Sequence, residues 1–167
     1  MEAIANTTLL SNFAAVGRLD LLRLGWISLY IPEQVYAEVQ DGRLQGYTFY
    51  DHIEREINPF SPDGWLQLTS LQTPEEFRLY GELLGNLHHG ESACLSIAVQ
   101  RKWIFLSDDH AARQAAAKLQ VQVSGTLGVL LSLVKRGLLK REDDDLALQA
   151  MMQKGYYAPV RSLAELL

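Results

Sequence analysis

Short apolar runs, each bounded by polar or turn-forming residues, alternate along this chain with longer stretches of helical period. Parallel strands need a crossover between them, usually a helix, so this alternation is the pattern of an α/β chain. Ala3 to Ala5 read as a short first strand. A helix follows through Leu9, Leu10, Phe13 and Val16, and after Gly17 a second helical stretch, RLDLLRL, is ended by Gly25. Ile27 to Ile31 form the next strand. Pro32 then suits the first turn of a helix because it lacks the donor that would go unused there, and Val35 and Val39 mark that helix's buried side.

The middle third is less regular. A helix is expected around Tyr47 to Ile57, then turns at Asn58-Pro59 and Ser61-Pro62-Asp63-Gly64, a strand WLQLTSL, and a helix opened by Thr73-Pro74-Glu75-Glu76. Gly90 precedes a helix from Glu91 to Gln100, a strand from Trp103 to Leu106, an Ala-rich helix from His110 to Lys118, and a strand from Val121 to Val123. Ser124-Gly125-Thr126 caps the helix TLGVLLSLVKRG, which Gly137 stops. One more helix follows Arg141, and Tyr156-Tyr157-Ala158-Pro159 leads to a last short one.

With 167 residues, 48% of them hydrophobic, the chain can bury one substantial core but not two, so a single domain over 1–167 is expected. A net charge of -5 gives no global basic footprint, so a nucleic-acid partner would have to use a local patch or a metal bridging carboxylate to phosphate. Cys94 is the single cysteine, which excludes an internal disulfide and a cysteine zinc cluster and suits a reducing cytoplasm. Its apolar surroundings mark it as a small core residue. No apolar run is long enough to cross a membrane, so a soluble, cytoplasmic chain is expected.

Polar groups at the ends of the apolar runs are the candidate site. Asn6 ends the first strand, where ligand sites of open parallel sheets gather, although an Asn there also caps a helix starting at Thr7 or Thr8. Asp108 and Asp109 follow another strand; two adjacent carboxylates repel, and a helix cap needs only one of them. Glu91 stands in the first turn of its helix and Glu38 on the border of an apolar stripe, each unremarkable singly. Together they suggest a pocket for a hard divalent cation. His88, His89 and His110 flank these groups but lack the spacing of a zinc site and read as turn residues. Gly81, Gly85 and Gly90 form no dinucleotide fingerprint, and no nucleophile elbow is present. A phosphoacceptor receiver would carry its acidic pair after the first strand and a Lys after the last; this chain has neither.

Read together, IANTTLLSNFAAVGRLDLL, YIPEQVYAEV, HHGESACLSIA, FLSDDHAARQAA, VSGTLGVLLSLVKRGLL and GYYAP resemble the PIN-domain family of nucleases, which includes many toxins of toxin-antitoxin pairs. The resemblance spans nearly the whole chain. It implies a three-layer α/β/α fold around a mostly parallel sheet of about four to five strands. It also implies an endoribonuclease in which Mg²⁺ or Mn²⁺ activates water against an RNA phosphodiester. Carried over by position, the catalytic set is Asn6, Glu38, Glu91 and Asp109, and the metal ligands are Asn6, Glu91, Asp109 and Asp108, the last as a neighbour or alternative. Thr7 or Thr8, Ser107 and Thr126 would orient water or phosphate, with the helix start at Thr126 offering backbone donors. The family's first acid is Asp, and here it is Asn6, which brings no charge and cannot act as a base. An alternative therefore stands beside the nuclease: a catalytically weakened RNA- or protein-binding module. The expected partners are RNA, an antitoxin protein and, through Leu163, Leu166 and Leu167, a second copy of the chain, unless these leucines finish the core.

Overall fold

The computed structural model describes residues 1–26 and 28–167. It begins with β1 (Glu2–Ala5), α1 (Thr7–Ala14), α2 (Leu19–Gly25), β2 (Ser28–Pro32) and α3 (Glu33–Leu44). The middle third holds α4 (Tyr50–Arg55), β3 (Ile57–Asn58), β4 (Leu66–Thr69) and α5 (Pro74–Leu83). Then come α6 (His89–Arg101), β5 (Ile104–Leu106), α7 (His110–Lys118), β6 (Val123–Ser124), α8 (Thr126–Lys135), α9 (Arg141–Gln153) and a 3-10 turn, Leu163–Glu165. The expected strand start at Ile27 lies outside the described residues.

Among the described residues the strands form one six-stranded sheet in the order β3-β4-β2-β1-β5-β6, and every pairing is parallel. The sheet is thus wider than the four to five strands expected from sequence, and wholly rather than mostly parallel. The extra strand is β3, where a helix end and a turn were expected; Ile57 and Asn58 pair with Leu66 and Gln67 at the sheet's edge. A two-residue strand has no alternation to read, so it leaves no periodic signal. The helix before it is correspondingly shorter.

Both faces of the sheet are covered, as parallel sheets require. Ala3, Ile4 and Ala5 of β1 are all fully buried, as are Phe105 and Leu106 of β5. Helix α6 packs with α3, α5 and α7 and crosses β1, β2 and β5, while α2, α8 and α9 form a second group. Every residue of α6 from Gly90 to Ala98 is buried, so this helix has no solvent stripe. Its serines are satisfied locally: Ser92 Oγ donates to the Leu87 carbonyl (3.4 Å) and Ser96 Oγ to the Ala93 carbonyl (3.1 Å).

Helix starts and stops follow local chemistry. Thr73 Oγ1 accepts from the Glu76 amide (3.1 Å) while Glu76 reaches back to the Thr73 amide (3.3 Å), with Pro74 at the first helical position. Pro32 stands one position earlier than expected, closing β2 and serving as N-cap of α3. Gly137, at φ +69, ends α8 as its sequence suggests, and the Leu138 amide returns to the Leu133 carbonyl (2.9 Å). Leu163 belongs to the core and is fully buried, whereas Leu166 and Leu167 are exposed. Among the described residues no helix is long and apolar enough to cross a membrane.

Strand order decides where a ligand can sit. From β1 the chain builds β2, β4 and β3 on one side, then returns through α6 to place β5 and β6 on the other. The crevice beyond the carboxyl ends of β1 and β5 is therefore the topological switch point, where such sheets bind ligands.

Candidate active site

Asn6 leaves β1 directly into this crevice. Its backbone amide continues the ladder to the Leu106 carbonyl (3.2 Å), and its side chain is 2% exposed with both ends engaged. Oδ1 accepts from the Leu9 amide at the start of α1 (3.2 Å), and Nδ2 donates to Ser107 Oγ beyond β5 (2.9 Å). Asn6 thus combines the cap reading with the switch-point reading. Ser107 Oγ also accepts from the Asp109 amide (3.1 Å), which ties the loop after β5 to the end of β1.

The adjacent aspartates diverge. Asp109 caps α7 through Oδ1, which accepts from the Ala112 amide (2.8 Å). Asp108 turns towards α8: Oδ1 accepts from the Thr126 amide (2.8 Å), and Oδ2 accepts from the Thr126 hydroxyl and from Asn12 Nδ2 (3.1 Å). Gly125 makes this possible, since a Cβ there would lie 2.5 Å from Asp108 Oδ1. Three donors leave Asp108 little capacity for a cation. At the α8 N-terminus expected to meet phosphate, the Thr126 amide is taken by Asp108.

Glu38 and Glu91 come from α3 and α6. Glu38 Oε2 accepts from the Thr7 hydroxyl, and Oε1 accepts from the Gly90 amide (3.0 Å). A Cβ at Gly90 would stand 2.7 Å from the Glu38 carboxylate, so glycine is what lets α3 deliver its acid to the start of α6. Thr8, the other candidate hydroxyl, is exposed. Glu91 is 9% exposed, and its Oε2 accepts from the His88 amide (3.3 Å). Burial raises the Glu91 carboxyl above the ordinary carboxylate range; the Asp109 charge pushes it further, as does Glu38 more weakly, against a lowering by His88. Beneath them the Cys94 thiol is pushed well up, chiefly by burial and then by Glu38 and Glu91, and is an inert core group. His88, His89 and His110 are exposed, and His89 Nδ1 pairs with the Tyr80 hydroxyl (2.7 Å).

Glu38, Glu91 and Asp109 are therefore brought into one electrostatic neighbourhood with Asn6 and Thr7, while Asp108 and Thr126 form a separate clasp beside it. The donors are all oxygen, which suits Mg²⁺ or Mn²⁺ and not a soft metal. Their mutual repulsion is what a divalent cation relieves. Yet among the described residues no three His, Cys, Asp or Glu side chains are close enough to form a ready-made metal cage. Helix-cap and threonine hydrogen bonds hold the carboxylates apart.

Sequence reasoning did not single out Asn12, whose Nδ2 bridges Asp108 Oδ2 and Thr126 Oγ1, both at 3.1 Å. Polar residues in the middle of an amphipathic helix ordinarily face water. Arg113 was overlooked as well: its Nη1 donates to the Ser107 carbonyl (3.1 Å). Its place in the segment DDHAAR, one turn after the aspartates, was the available signal.

The family model DUF3368, described as a PIN domain, matches residues 2–167, and the chain belongs to this PIN-domain family. Among solved structures it is similar to a PilT N-terminus domain protein from the hyperthermophilic archaeon Sulfolobus solfataricus P2. The TM-score is 0.51 at 16% identity, covering 79% of this chain and 92% of that one. It is also similar to a chain in the structure of VapBC2 from Rickettsia felis bound to a DNA fragment from their promoter. There the TM-score is 0.52 at 12% identity, covering 75% and 98% of the two chains. No curated protein matches the chain.

Proposed function

We propose that this chain is a divalent-metal-dependent endoribonuclease of the PIN type, acting at the crevice beyond β1 and β5 and kept in check by an antitoxin protein. The observation that carries this reading is the grouping of Glu38, Glu91 and Asp109 at the switch point with no Lys or Arg ion pair to any of them among the described residues, beside a Glu91 carboxyl raised by burial and by Asp109. Membership of a PIN-domain family supports the nuclease class, and likeness to a chain of the VapBC2 assembly supports a paired partner.

Glu91 and Asp109 are the ligands this reading assigns first, because each keeps a carboxylate oxygen without a hydrogen bond among the described residues. Mg²⁺ or Mn²⁺ would supply a water of lowered pKa and charge to offset the phosphorane oxygens. Glu38, held by Thr7 and the Gly90 amide, is fixed beside them as a further acceptor for the attacking water's proton. Asn6 offers an amide oxygen without charge, so metal affinity is lower than an aspartate there would give. Ser107 positions Asn6 and Asp109 relative to each other.

Purified protein incubated with single-stranded and structured RNA in Mn²⁺, beside Glu91→Gln, tests this. Cleavage that needs the metal and disappears with Glu91→Gln supports it; no cleavage at any metal concentration overturns it.

A further inference from the structure

Two grooves open on either side of the Asp108–Asn12 contact, and neither has a role in the chemistry described above. One, of about 500 Å³, contains Arg113, Tyr156 and Tyr157 beside Asp108 and the start of α8. The other, of about 320 Å³, contains Asn12, Tyr47, Phe49 and Lys154. The 3.1 Å bond from Asn12 to Asp108 links a lining residue of each groove, and Asp108 is the sequence neighbour of Asp109.

Each groove pairs exposed aromatic surface with a cation. Tyr157 is 91% exposed and Tyr47 is 54% exposed, so both rings are open to solvent. Tyr47 leans on Phe49 at 5.9 Å between ring centroids, and Phe49 on Tyr50 at 4.5 Å, so the second groove has a pre-built aromatic wall. Tyr156 is anchored instead: burial first, then the Asp108 charge, raises its hydroxyl to about 12, so it stays neutral beside the groove. Among the described residues the only carboxylate lining either groove is Asp108, and three hydrogen-bond donors offset its charge. Aromatic faces beside Lys154 and Arg113, the latter with one donor held by the Ser107 carbonyl, match unpaired bases and a phosphate backbone, whereas a duplex hides its base faces.

We propose that these two grooves form one stacking track for single-stranded nucleic acid. Tyr157 and Tyr47 each receive a base, Arg113 and Lys154 each meet a phosphate, and the strand between them passes over the acidic pocket. This rests on the ribonuclease reading for its choice of RNA. It adds a binding site outside the carboxylates and explains how a chain of net charge -5 holds a polyanion: by stacking, with few ionic contacts.

Fluorescence anisotropy of an eight-nucleotide single-stranded RNA, titrated with wild-type protein in EDTA, separates binding from cleavage. With a stacked base lost in each, Tyr157→Ala and Tyr47→Ala should each weaken binding about tenfold, and Tyr157→Phe less than about twofold. A duplex of the same length should bind at least about tenfold more weakly. With about two phosphate contacts, log K should fall with log salt at a slope near about -1.4. Unchanged affinity in both alanine variants, equal binding of duplex, or no binding in EDTA overturns the track; the first would leave the grooves to a protein partner. Cleavage in Mn²⁺ is read separately. Glu91-dependent cleavage with indifferent tyrosines sinks the track alone, and tyrosine-dependent binding without cleavage sinks the nuclease alone.

Discussion

Two buried glutamates stand at the same position of two successive helices and have opposite electrostatic fates. Glu76 in α5 and Glu91 in α6 each occupy the third helical position, and each carboxylate returns to its N-cap amide at 3.3 Å. Around Glu76, burial would raise the carboxyl, but Arg101 and the Gln72 and Thr73 amides outweigh it and hold it below its ordinary value. Arg101 forms a bidentate pair with it (2.7 and 3.1 Å) and also reaches Thr69 Oγ1 and the Ser70 carbonyl. Around Glu91 burial meets no Lys or Arg partner among the described residues, and Asp109 and, more weakly, Glu38 raise it further against a lowering by His88. The capping motif is shared, so the difference lies in what the tertiary fold brings near. One acid is paired within the protein, and the other is the one the proposed function gives to a cation from outside.

The largest effect is expected from breaking the paired member. Arg101→Met leaves Glu76 buried and unpaired, and should cost about 3–5 kcal/mol in denaturant unfolding. Cleavage per folded molecule should persist, because Arg101 does not touch the acidic pocket. Glu91→Gln is the converse: metal-dependent cleavage should fall by about 100-fold or more while stability in EDTA is kept or rises, since a buried repulsion has been removed. Equal losses of stability in the two variants would erase the contrast.

A third buried carboxyl sharpens the comparison through pH. Asp144 of α9 is fully buried, neither of its oxygens has a hydrogen-bond partner among the described residues, and burial first, then Asp145, raises it to about 7 against a lowering by Arg18. Its folded value lies above the unfolded one, so the native state holds the proton more tightly. The associated stability is fully present below about pH 4 and is lost as pH rises through about 7. At about 1.4 kcal/mol per pKa unit, and allowing for water reaching the charged form, Asp144→Asn should gain about 2 kcal/mol at pH 8 and little at pH 4. Glu76, with its lowered value, has the opposite slope: its contribution is present above its ordinary range and lost on acidification. Thermal melts of Asp144→Asn and Glu76→Gln across pH should therefore diverge in opposite directions.

The smallest change is Asn6→Asp. Ser107 Oγ accepts from both Asn6 and the Asp109 amide, leaving its own proton free to be donated to a carboxylate, so the new side chain can keep the link. One more charge at the pocket should tighten Mn²⁺ binding by about tenfold, read by calorimetry. Unchanged affinity would place Asn6 outside the metal's reach.

Much of this fold was legible because α/β chains write their elements in the period of apolar residues. The run from Glu91 to Gln100, the strand ending at Leu106 and the stop at Gly137 were all visible, and the structure shifts their ends by one or two residues. β3 was illegible because two residues carry no period. The candidate residues could be named, since strand ends and helix starts are local features, but their grouping could not be measured. Nothing in Asp108-Asp109 says that the first turns to Thr126 and the second to α7, because Gly125 and Asn12 decide that from distant segments. The pairing of Glu76 with Arg101, twenty-five positions apart, was hidden for the same reason.

An anomalous difference map from Mn²⁺-soaked crystals would show whether a divalent cation binds at the raised Glu91 carboxyl. The expected peak is bounded by the carboxylates of Glu91 and Asp109, with Glu38 facing it, and is absent from crystals of Glu91→Gln. Manganese bound elsewhere, or a peak that persists without the Glu91 charge, would contradict it.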